Sequence, residues 1–374
     1  MAGIYIHIPY CRQKCNYCNF FSVVSRKSAP FMIQAITGEI ELRARKEKQK
    51  IETIYLGGGT PSLLELPLLE KLFKALNQFF EVDTEAEITL EANPDDITPE
   101  NLNDWKHLGI NRLSIGIQSF HDTDLKFLNR IHSVAKALEC IKLAQQYDFP
   151  NLTIDLIYGI PTLSNEQWLQ NLDQFAKLHI PHLSAYALTV EPHTPLSLMI
   201  EKGKLQPVEE KQSSEQYEIL MQFMESHGYQ HYEISNFCLP DHFARHNVSY
   251  WKGTEYLGFG PSAHSFNGSI RQWNVSSVTE YMNAINQGNL PSESEVLTIN
   301  NRYNEYVMTG LRTMWGCALS EIKDTFGASY GSYFISQAQK WIAQSLMQQT
   351  GDHYTLTPKG KLFADGIASD IFMV

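Results

Sequence analysis

Residues 3–18, GIYIHIPYCRQKCNYC, place a short β-branched strand directly before three closely spaced cysteines. Cys11, Cys15 and Cys18 fall within eight residues, so one loop can present three thiolates to a metal group. Thiolates are soft ligands that stabilise iron, and three of them can hold three corners of a cubane iron–sulfur cluster while one iron stays open. The alternatives are a closed zinc site that uses His7 as a further ligand, or a chance cluster of core cysteines.

Strand-like and helix-like segments alternate through the first half of the chain. Short β-branched and apolar runs predict six strands, at residues 3–8, 52–56, 87–91, 112–117, 153–158 and 183–188. Apolar residues at helical spacing predict helices at residues 30–48, 63–80, 99–108, 134–147 and 165–178. Strands that alternate with helices indicate right-handed βαβ units and a parallel sheet.

Polar or glycine-rich sequence follows most of the predicted strands. The cysteine loop follows the first strand, GGGTP at residues 57–61 follows the second, and Glu91 ends the third. Gln118, Asp155 and Thr189 lie in or after the other three. A β/α barrel takes its functional residues from many strand ends, whereas a doubly wound fold concentrates them at one switch point. We therefore expect an α/β fold, a partial six-unit TIM-like β/α barrel with a mostly helical C-terminal domain.

The alternation stops near residue 200, which indicates a change of domain. We expect the barrel in residues 1–205 and a connecting region in residues 206–290, part of which is rich in aromatic residues and histidine. A helical, winged-helix-like domain is expected in residues 291–374, because YTLTPKG at residues 354–360 resembles a short strand and turn before a final helix.

The composition disfavours several classes of protein. The 374 residues include 30 Lys and Arg against 41 Asp and Glu, and the net charge of −11 disfavours a non-specific nucleic-acid binder, which needs a basic face. No window reaches the ~18 consecutive apolar residues of a membrane span, and the N-terminus lacks the basic start of a signal peptide. We expect a cytoplasmic protein with reduced cysteines, and peripheral membrane contact stays open.

Further motifs recur in the order and at the spacing of a known family. They are GGGTP at residues 57–61, EANP at 91–94, SIGIQSF at 114–120, NR at 129–130 and DLIYGIP at 155–161. Together with the cysteine run, they resemble the radical S-adenosylmethionine (SAM) proteins. Within these, the sequence is most similar to the group that contains oxygen-independent coproporphyrinogen III oxidases and related haem chaperones. The resemblance spans nearly the whole chain.

The resemblance implies that Cys11, Cys15 and Cys18 hold a [4Fe–4S] cluster whose open iron binds SAM. The cluster would then supply the electron that breaks a carbon–sulfur bond of SAM. Glycine in the GGGTP turn would let the backbone approach SAM closely. The SAM-contacting positions that it implies are Tyr5, Tyr17, Gly58, Gly59, Thr60, Glu91, Gln118, Arg130 and Asp155.

Two departures from the oxidase pattern favour the haem-chaperone branch. The oxidases continue the cysteine run as Cys-x-Cys, whereas position 20 is Phe in this chain. The oxidases also carry an extension before the first strand, whereas four residues precede Tyr5 here. Both departures count against oxidative decarboxylation of coproporphyrinogen.

The sequence HNVSYW at residues 246–251 matches an H-N-x-x-Y-W motif of the chaperone branch. An imidazole nitrogen can bind iron, and aromatic rings offer flat faces to a macrocycle. The alternative is a hydrogen-bonded core histidine beside aromatic residues. The resemblance implies haem contact by His246, Asn247, Tyr250 and Trp251, with His231, His242, His264 and Cys238 as further candidate ligands.

These features together predict a haem chaperone that carries a [4Fe–4S] cluster and SAM and passes haem to an acceptor protein. A reductant protein is a further candidate partner. The first alternative is an oxygen-independent coproporphyrinogen III oxidase, and the second is a radical enzyme with an unrelated substrate.

Overall fold

The computed structural model describes residues 2–44 and 50–374. Its buried apolar residues form two clusters, one around a large sheet and one within the C-terminal region. In these ranges, no helix combines the length and the apolar character that crossing a membrane requires.

Six parallel strands form the centre of the sheet and lie in the same order as in the chain. This order is what successive right-handed βαβ units produce. The alternate residues Ile4, Ile6 and Ile8 of the first strand are fully buried. The strands are β1 (Ala2–Ile8), β2 (Lys50–Gly58), β3 (Glu81–Ala92), β4 (Arg112–Gln118), β5 (Asn151–Tyr158) and β6 (His182–Ala187).

Helices connect these strands and pack against the sheet. The Thr98 side chain caps the helix that begins at Pro99, because it accepts a hydrogen bond from the Asn101 N–H at 3.2 Å. Residues 45–48 of the predicted helix 30–48 lie outside the described residues. The helices are α1 (Ala29–Ala44), α2 (Leu66–Phe79), α3 (Pro99–His107), α4 (Asp122–Phe127), α5 (Val134–Gln146) and α6 (Asn165–Lys177).

The sheet of the described residues stays open. Its twelve strands have the order β12-β11-β10-β9-β1-β2-β3-β4-β5-β6-β8-β7, so β7 and β12 form its two edges. The partial β/α barrel is therefore confirmed, but the sequence did not predict the outer strands, which are short and lack a clear period. They are β7 (Gln230–Glu233), β8 (Asn236–Cys238), β9 (Tyr256–Phe259), β10 (His264–Phe266), β11 (Ile270–Asn274) and β12 (Ser292–Val296).

The C-terminal region is mostly helical, as predicted, and a three-stranded sheet joins its helices. It comprises α11 (Ile299–Leu311), β13 (Cys317–Ala318), α12 (Leu319–Phe326), α13 (Ala328–Ala343), β14 (Met347–Thr350), β15 (His353–Leu356), α14 (Pro358–Lys361) and α15 (Ala364–Asp370). Between this region and β6 lie α7 (Pro195–Glu201), α8 (Glu210–Ser226), α9 (Arg245–Trp251) and α10 (Val278–Asn286). The domain boundaries at residues 205 and 290 stay a prediction.

Candidate functional site

A cavity of about 950 Å³ lies at the carboxyl ends of the parallel strands. Loops that follow these strands line it together with residues 361–366 of the C-terminal region. Parallel β/α folds place their sites at this face, because the loops after the strands meet there. The cavity brings together most of the predicted cluster and SAM positions, namely Cys11, Cys15, Tyr17, Cys18, Gly58, Gly59, Thr60, Glu91, Gln118, Arg130 and Asp155.

The cysteine loop returns beside the end of β1. The Cys11 N–H donates to the Val23 carbonyl at 3.0 Å, and the Val23 N–H donates to the Pro9 carbonyl at 2.7 Å. Cys11, Cys15 and Cys18 are all half-buried and line the cavity. The loop therefore turns three sulfurs toward one space.

Two donors approach these sulfurs. Arg130 Nη1 lies 3.3 Å from Cys15 Sγ, and the Thr60 hydroxyl lies 3.5 Å from Cys11 Sγ. Burial raises the pKa of the Cys11 and Cys18 thiols, whereas hydrogen bonds such as that from Thr60 act in the opposite direction. A bound metal group would therefore meet sulfurs that already have positive or hydrogen-bonding neighbours.

The geometry does not favour a site for a single metal ion. Among the described residues, no three His, Cys, Asp or Glu side chains are grouped closely enough to hold one ion. His7, the further ligand of the zinc alternative, contacts the Tyr5 hydroxyl through Nδ1 at 3.1 Å and the Phe21 carbonyl through Nε2 at 2.9 Å. Thiolates around one zinc must lie close together, since Zn–S bonds are about 2.3 Å long. Three cysteines in one loop match the ligand set expected for an iron–sulfur cluster, and that assignment stays a prediction.

The glycine turn after β2 is packed against the backbone at the end of β1. A Cβ atom at Gly59 would lie 2.7 Å from the Tyr10 carbonyl oxygen and 2.8 Å from the Ile8 carbonyl oxygen. Gly58 has a φ of +107°, which side chains rarely allow. Glycine at both positions therefore lets this turn pack directly against His7 and the backbone at the end of β1.

Two acidic side chains line the same cavity. Glu91 accepts hydrogen bonds from the Tyr55 hydroxyl at 2.8 Å and from the Gly58 N–H at 3.1 Å. Burial raises the pKa of Glu91 to about 7 and the pKa of Asp155 to about 6, although their hydrogen bonds partly offset it. A ligand with a positive charge would favour the ionised forms. This wall is therefore suited to an ammonium or sulfonium group.

Arg130 is positioned by the turn that ends α4. Asn129 has a φ of +60°, and its side chain donates to the Lys14 carbonyl at 2.8 Å. The Arg130 guanidinium donates to Asn93 Oδ1 at 2.8 Å. Gln118, at an irregularity in β4, also has a positive φ, of +70°. Asn129 is the left-handed residue that closes α4, a position where asparagine is common, so this turn fixes the point from which the Arg130 side chain starts.

Comparisons with known proteins agree with this geometry. Residues 5–175 match the profile of the Radical SAM superfamily, and residues 297–363 match that of the HemN C-terminal domain. A heme chaperone HemW from Bacillus subtilis is 32% identical over 371 residues, which cover 98% of both chains. One from Escherichia coli is 31% identical and covers 98% of this chain and 96% of its own. This chain belongs to the HemW family.

A solved structure supports the fold assignment. Coproporphyrinogen III oxidase (HemN) from Escherichia coli, described as a Radical SAM enzyme, superimposes with a TM-score of 0.86. The match covers 100% of this chain and 90% of that one at 24% sequence identity. It confirms the radical SAM fold, while the full-length HemW relatives confirm the resemblance to the chaperone branch.

In this HemW-family chain, Tyr5 lies behind the cavity wall. Its hydroxyl contacts His7, and its ring stacks on Tyr55 with the centroids 6.2 Å apart. Because Tyr55 donates to Glu91, Tyr5 supports the acidic wall through one intermediate residue. Its predicted direct contact with SAM stays a prediction.

The HNxxYW motif forms α9, which packs near β2. His246 is 1% exposed, with Nδ1 2.8 Å from the Thr53 hydroxyl and Nε2 2.9 Å from the Tyr250 hydroxyl. Burial lowers the pKa of His246 to about 3, so its ring is neutral. Both ring nitrogens have partners in this conformation. Iron ligation by His246 would therefore require one partner to be released.

The motif lies outside the cavity but contacts residues that shape it. The His246 ring stacks on Tyr55 at 5.1 Å between centroids, and Tyr55 in turn holds Glu91. The Arg312 guanidinium, which lines the cavity, lies 5.6 Å from the centre of the Trp251 ring. His246 therefore reaches the cavity through Tyr55, and Trp251 reaches it through Arg312. Haem contact by His246, Asn247, Tyr250 and Trp251 stays a prediction.

The other candidate haem ligands are dispersed. His231 contacts Lys361 beside the cavity, and Cys238 is fully buried. His264 is exposed. Nδ1 of His242 is buried without a hydrogen-bond partner among the described residues. The structure does not bring these four side chains together with His246.

Several lining residues were missed by the sequence analysis. Tyr186, Tyr217, Arg312 and Lys361 line the cavity but belong to no motif that the sequence singled out. Phe20 was noted only as a departure from the oxidase pattern, yet it is 65% exposed and lines the cavity. The sequence signal that could have placed Phe20 at the cavity was an aromatic residue two positions after Cys18.

Proposed function

We propose that this chain is a haem chaperone that binds haem and passes it to an acceptor protein in the cytoplasm. The observation that carries the proposal is the similarity to proteins named heme chaperone HemW, which spans 98% of the chain. Phe20 supports it, because the oxidase pattern has a cysteine at that position.

The radical SAM family implies a [4Fe–4S] cluster and SAM as cofactors. In our proposal Cys11, Cys15 and Cys18 hold the cluster, and the bound cofactors supply one-electron chemistry. Glu91 and Asp155 accept positive groups of SAM, because burial raises the pKa of both carboxyls. Hydrogen bonds, and for Asp155 also the charges of Arg130 and Arg112, offset this only in part.

Haem contact by the HNxxYW motif completes the proposal. A haem held by His246 would release the imidazole from Tyr250 or Thr53 and disturb its stacking on Tyr55. Since Tyr55 also donates to Glu91, the haem-loaded and empty states would differ at the acidic wall of the SAM site. This contact path gives the cluster and SAM a means to influence haem release.

Anaerobically reconstituted protein tests the proposal. Added haem should shift the Soret band and saturate, and incubation with SAM, reductant and coproporphyrinogen III should give no protoporphyrinogen. Bound haem should move to added apomyoglobin at a rate that changes when SAM is present. Absence of any Soret shift would refute the chaperone, and turnover of coproporphyrinogen would identify an oxidase instead.

A further inference from the structure

Two basic side chains from the C-terminal region line the cavity on a wall that carries no predicted function. Lys361 ends α14, and Arg312 directly follows α11. Both are far in sequence from the cysteine loop and the glycine turn. In a chain with a net charge of −11, two cations on the wall of the main cavity would attract an anionic ligand that the protein as a whole repels.

Lys361 has no acidic partner in direct contact. Its ammonium donates to His231 Nδ1 at 2.9 Å. Among the described residues no carboxylate forms an ion pair with it, although the charges of Glu233 and Glu225 lie near enough to raise its pKa. Burial lowers the pKa of His231 to about 3, so this imidazole is a neutral acceptor. Burial also lowers the pKa of Lys361 to about 8, which leaves it mostly charged at neutral pH. A desolvated ammonium with a neutral partner favours the arrival of an anion.

Arg312 is held with its guanidinium at the cavity. It donates through Nη1 to the Asp365 carboxylate and lies over the Trp251 ring. Asp365 is 69% exposed in its side chain, so water screens this pair and it contributes little. A planar guanidinium presents several N–H groups, and those not used by Asp365 can receive a ligand carboxylate in a two-point contact.

Flat apolar surface lies beside these cations. Tyr158 and Tyr217 border the cavity, but they are only 7% and 4% exposed and stack on each other with centroids 5.8 Å apart. Phe363, which follows Lys361 by two residues, is 54% exposed and also lines it. Aromatic faces next to cationic groups suit a ligand with a flat apolar body and carboxylate substituents.

We propose that Lys361 and Arg312 bind the carboxylates of a flat, apolar ligand in this cavity. In the proposed function these carboxylates are the propionates of haem. The inference rests on the proposed function for the identity of the ligand. It assigns to the C-terminal region a direct part in holding the cargo. It does not depend on ligation of the iron by His246, which lies outside this cavity.

Haem and its dimethyl ester, which lacks the free carboxylates, test the assignment in the full-length reconstituted protein. Wild-type protein should bind haem about tenfold or more tightly than the ester, which corresponds to about 1.4 kcal/mol. Lys361→Met and Arg312→Gln should each reduce that preference severalfold, and Lys361→Arg should restore most of it. The matched control Lys359→Met, on the exposed face of α14, should keep the wild-type preference.

The outcomes separate the two proposals. Equal affinity for haem and ester in the wild type, or an unchanged preference in Lys361→Met, would overturn the carboxylate site and leave the chaperone standing. No haem binding at all would overturn the chaperone and this site with it.

A second measurement needs no variant and covers the case in which Lys361→Met fails to fold. Limited acylation of wild-type protein, read by mass spectrometry, should modify Lys361, because its side chain lines the cavity and its lowered pKa leaves more free amine. Saturating haem should protect Lys361 severalfold and leave Lys359 unprotected. Equal modification of Lys361 with and without haem would contradict the site.

Discussion

Replacing Tyr250 by phenylalanine is the sharpest test of the HNxxYW motif. The simpler His246→Ala change would leave both the Thr53 and Tyr250 hydroxyls without their partner and would open a hole in a site that is 1% exposed. Loss of haem binding in that variant could therefore reflect a disrupted structure. Tyr250→Phe keeps the ring and removes only the hydroxyl that occupies His246 Nε2 at 2.9 Å.

The magnitude follows from that hydrogen bond. A buried hydrogen bond contributes about 0.5–1.5 kcal/mol net, and ligation of iron through Nε2 must first break it. Removing the hydroxyl should therefore strengthen haem binding about 2- to 12-fold. The same change should lower the free energy of unfolding by about 1 kcal/mol, because Nε2 loses its partner in the haem-free protein.

Soret titration of wild type and variant measures the affinity, and denaturant unfolding measures the stability. Tyr229→Phe is the matched control, since its hydroxyl donates to the Ile180 carbonyl at 2.6 Å outside the motif. It should lose comparable stability without a gain in haem affinity. A Tyr250→Phe protein that folds, yet binds haem no more tightly than wild type, would refute ligation of iron through Nε2 of His246.

Three further predictions concern the cluster and SAM site. Cys15→Ser should lose cluster iron and sulfide after anaerobic reconstitution, whereas Cys140→Ser should keep them; equal contents would contradict the ligand assignment. The native pKa of Glu91, about 7, lies above its ordinary value of 4.5, so the folded state binds more protons and stability falls as pH rises between these values. Between pH 5 and pH 7.5 the free energy of unfolding in urea should fall, and Glu91→Gln should reduce that fall by about 1–3 kcal/mol. The same pH dependence in the wild type and in Glu91→Gln would show that the carboxyl is well solvated. Gly59→Ala should cost about 2 kcal/mol or more, because its Cβ would meet the Tyr10 carbonyl at 2.7 Å. Gly366→Ala, whose Cβ meets nothing within 4 Å, should leave the unfolding midpoint at or above the wild-type value.

The sequence anticipated the parallel part of the fold because its signals are local. Each of the six central strands contains a short apolar run, and all or nearly all residues of each predicted range lie within the observed strand. The order of the strands then followed from βαβ chirality. The six outer strands were missed because they have only three to five residues, and their pairing depends on partners distant in the chain.

Local spacing predicted the cysteine loop and the polar strand ends, and the resemblance to radical SAM proteins supplied the candidate SAM positions. Three cysteines within one loop, a glycine turn and polar residues at strand ends must meet at one edge of a parallel sheet, and the cavity contains them. Tyr5 could not be placed in this way. Alternation assigns a residue to one face of a strand, but it does not show that Tyr55 stands between Tyr5 and Glu91.

The sequence by itself determined the family, the parallel sheet and the cysteine-lined face, because motifs and periodicity are encoded in neighbouring residues. Only the tertiary structure showed that both nitrogens of His246 are occupied and that Lys361 and Arg312 reach the same cavity as Cys11. These facts depend on contacts between residues that are far apart in the chain. Burial and hydrogen-bond partners at such contacts are set by packing, and no local pattern records them.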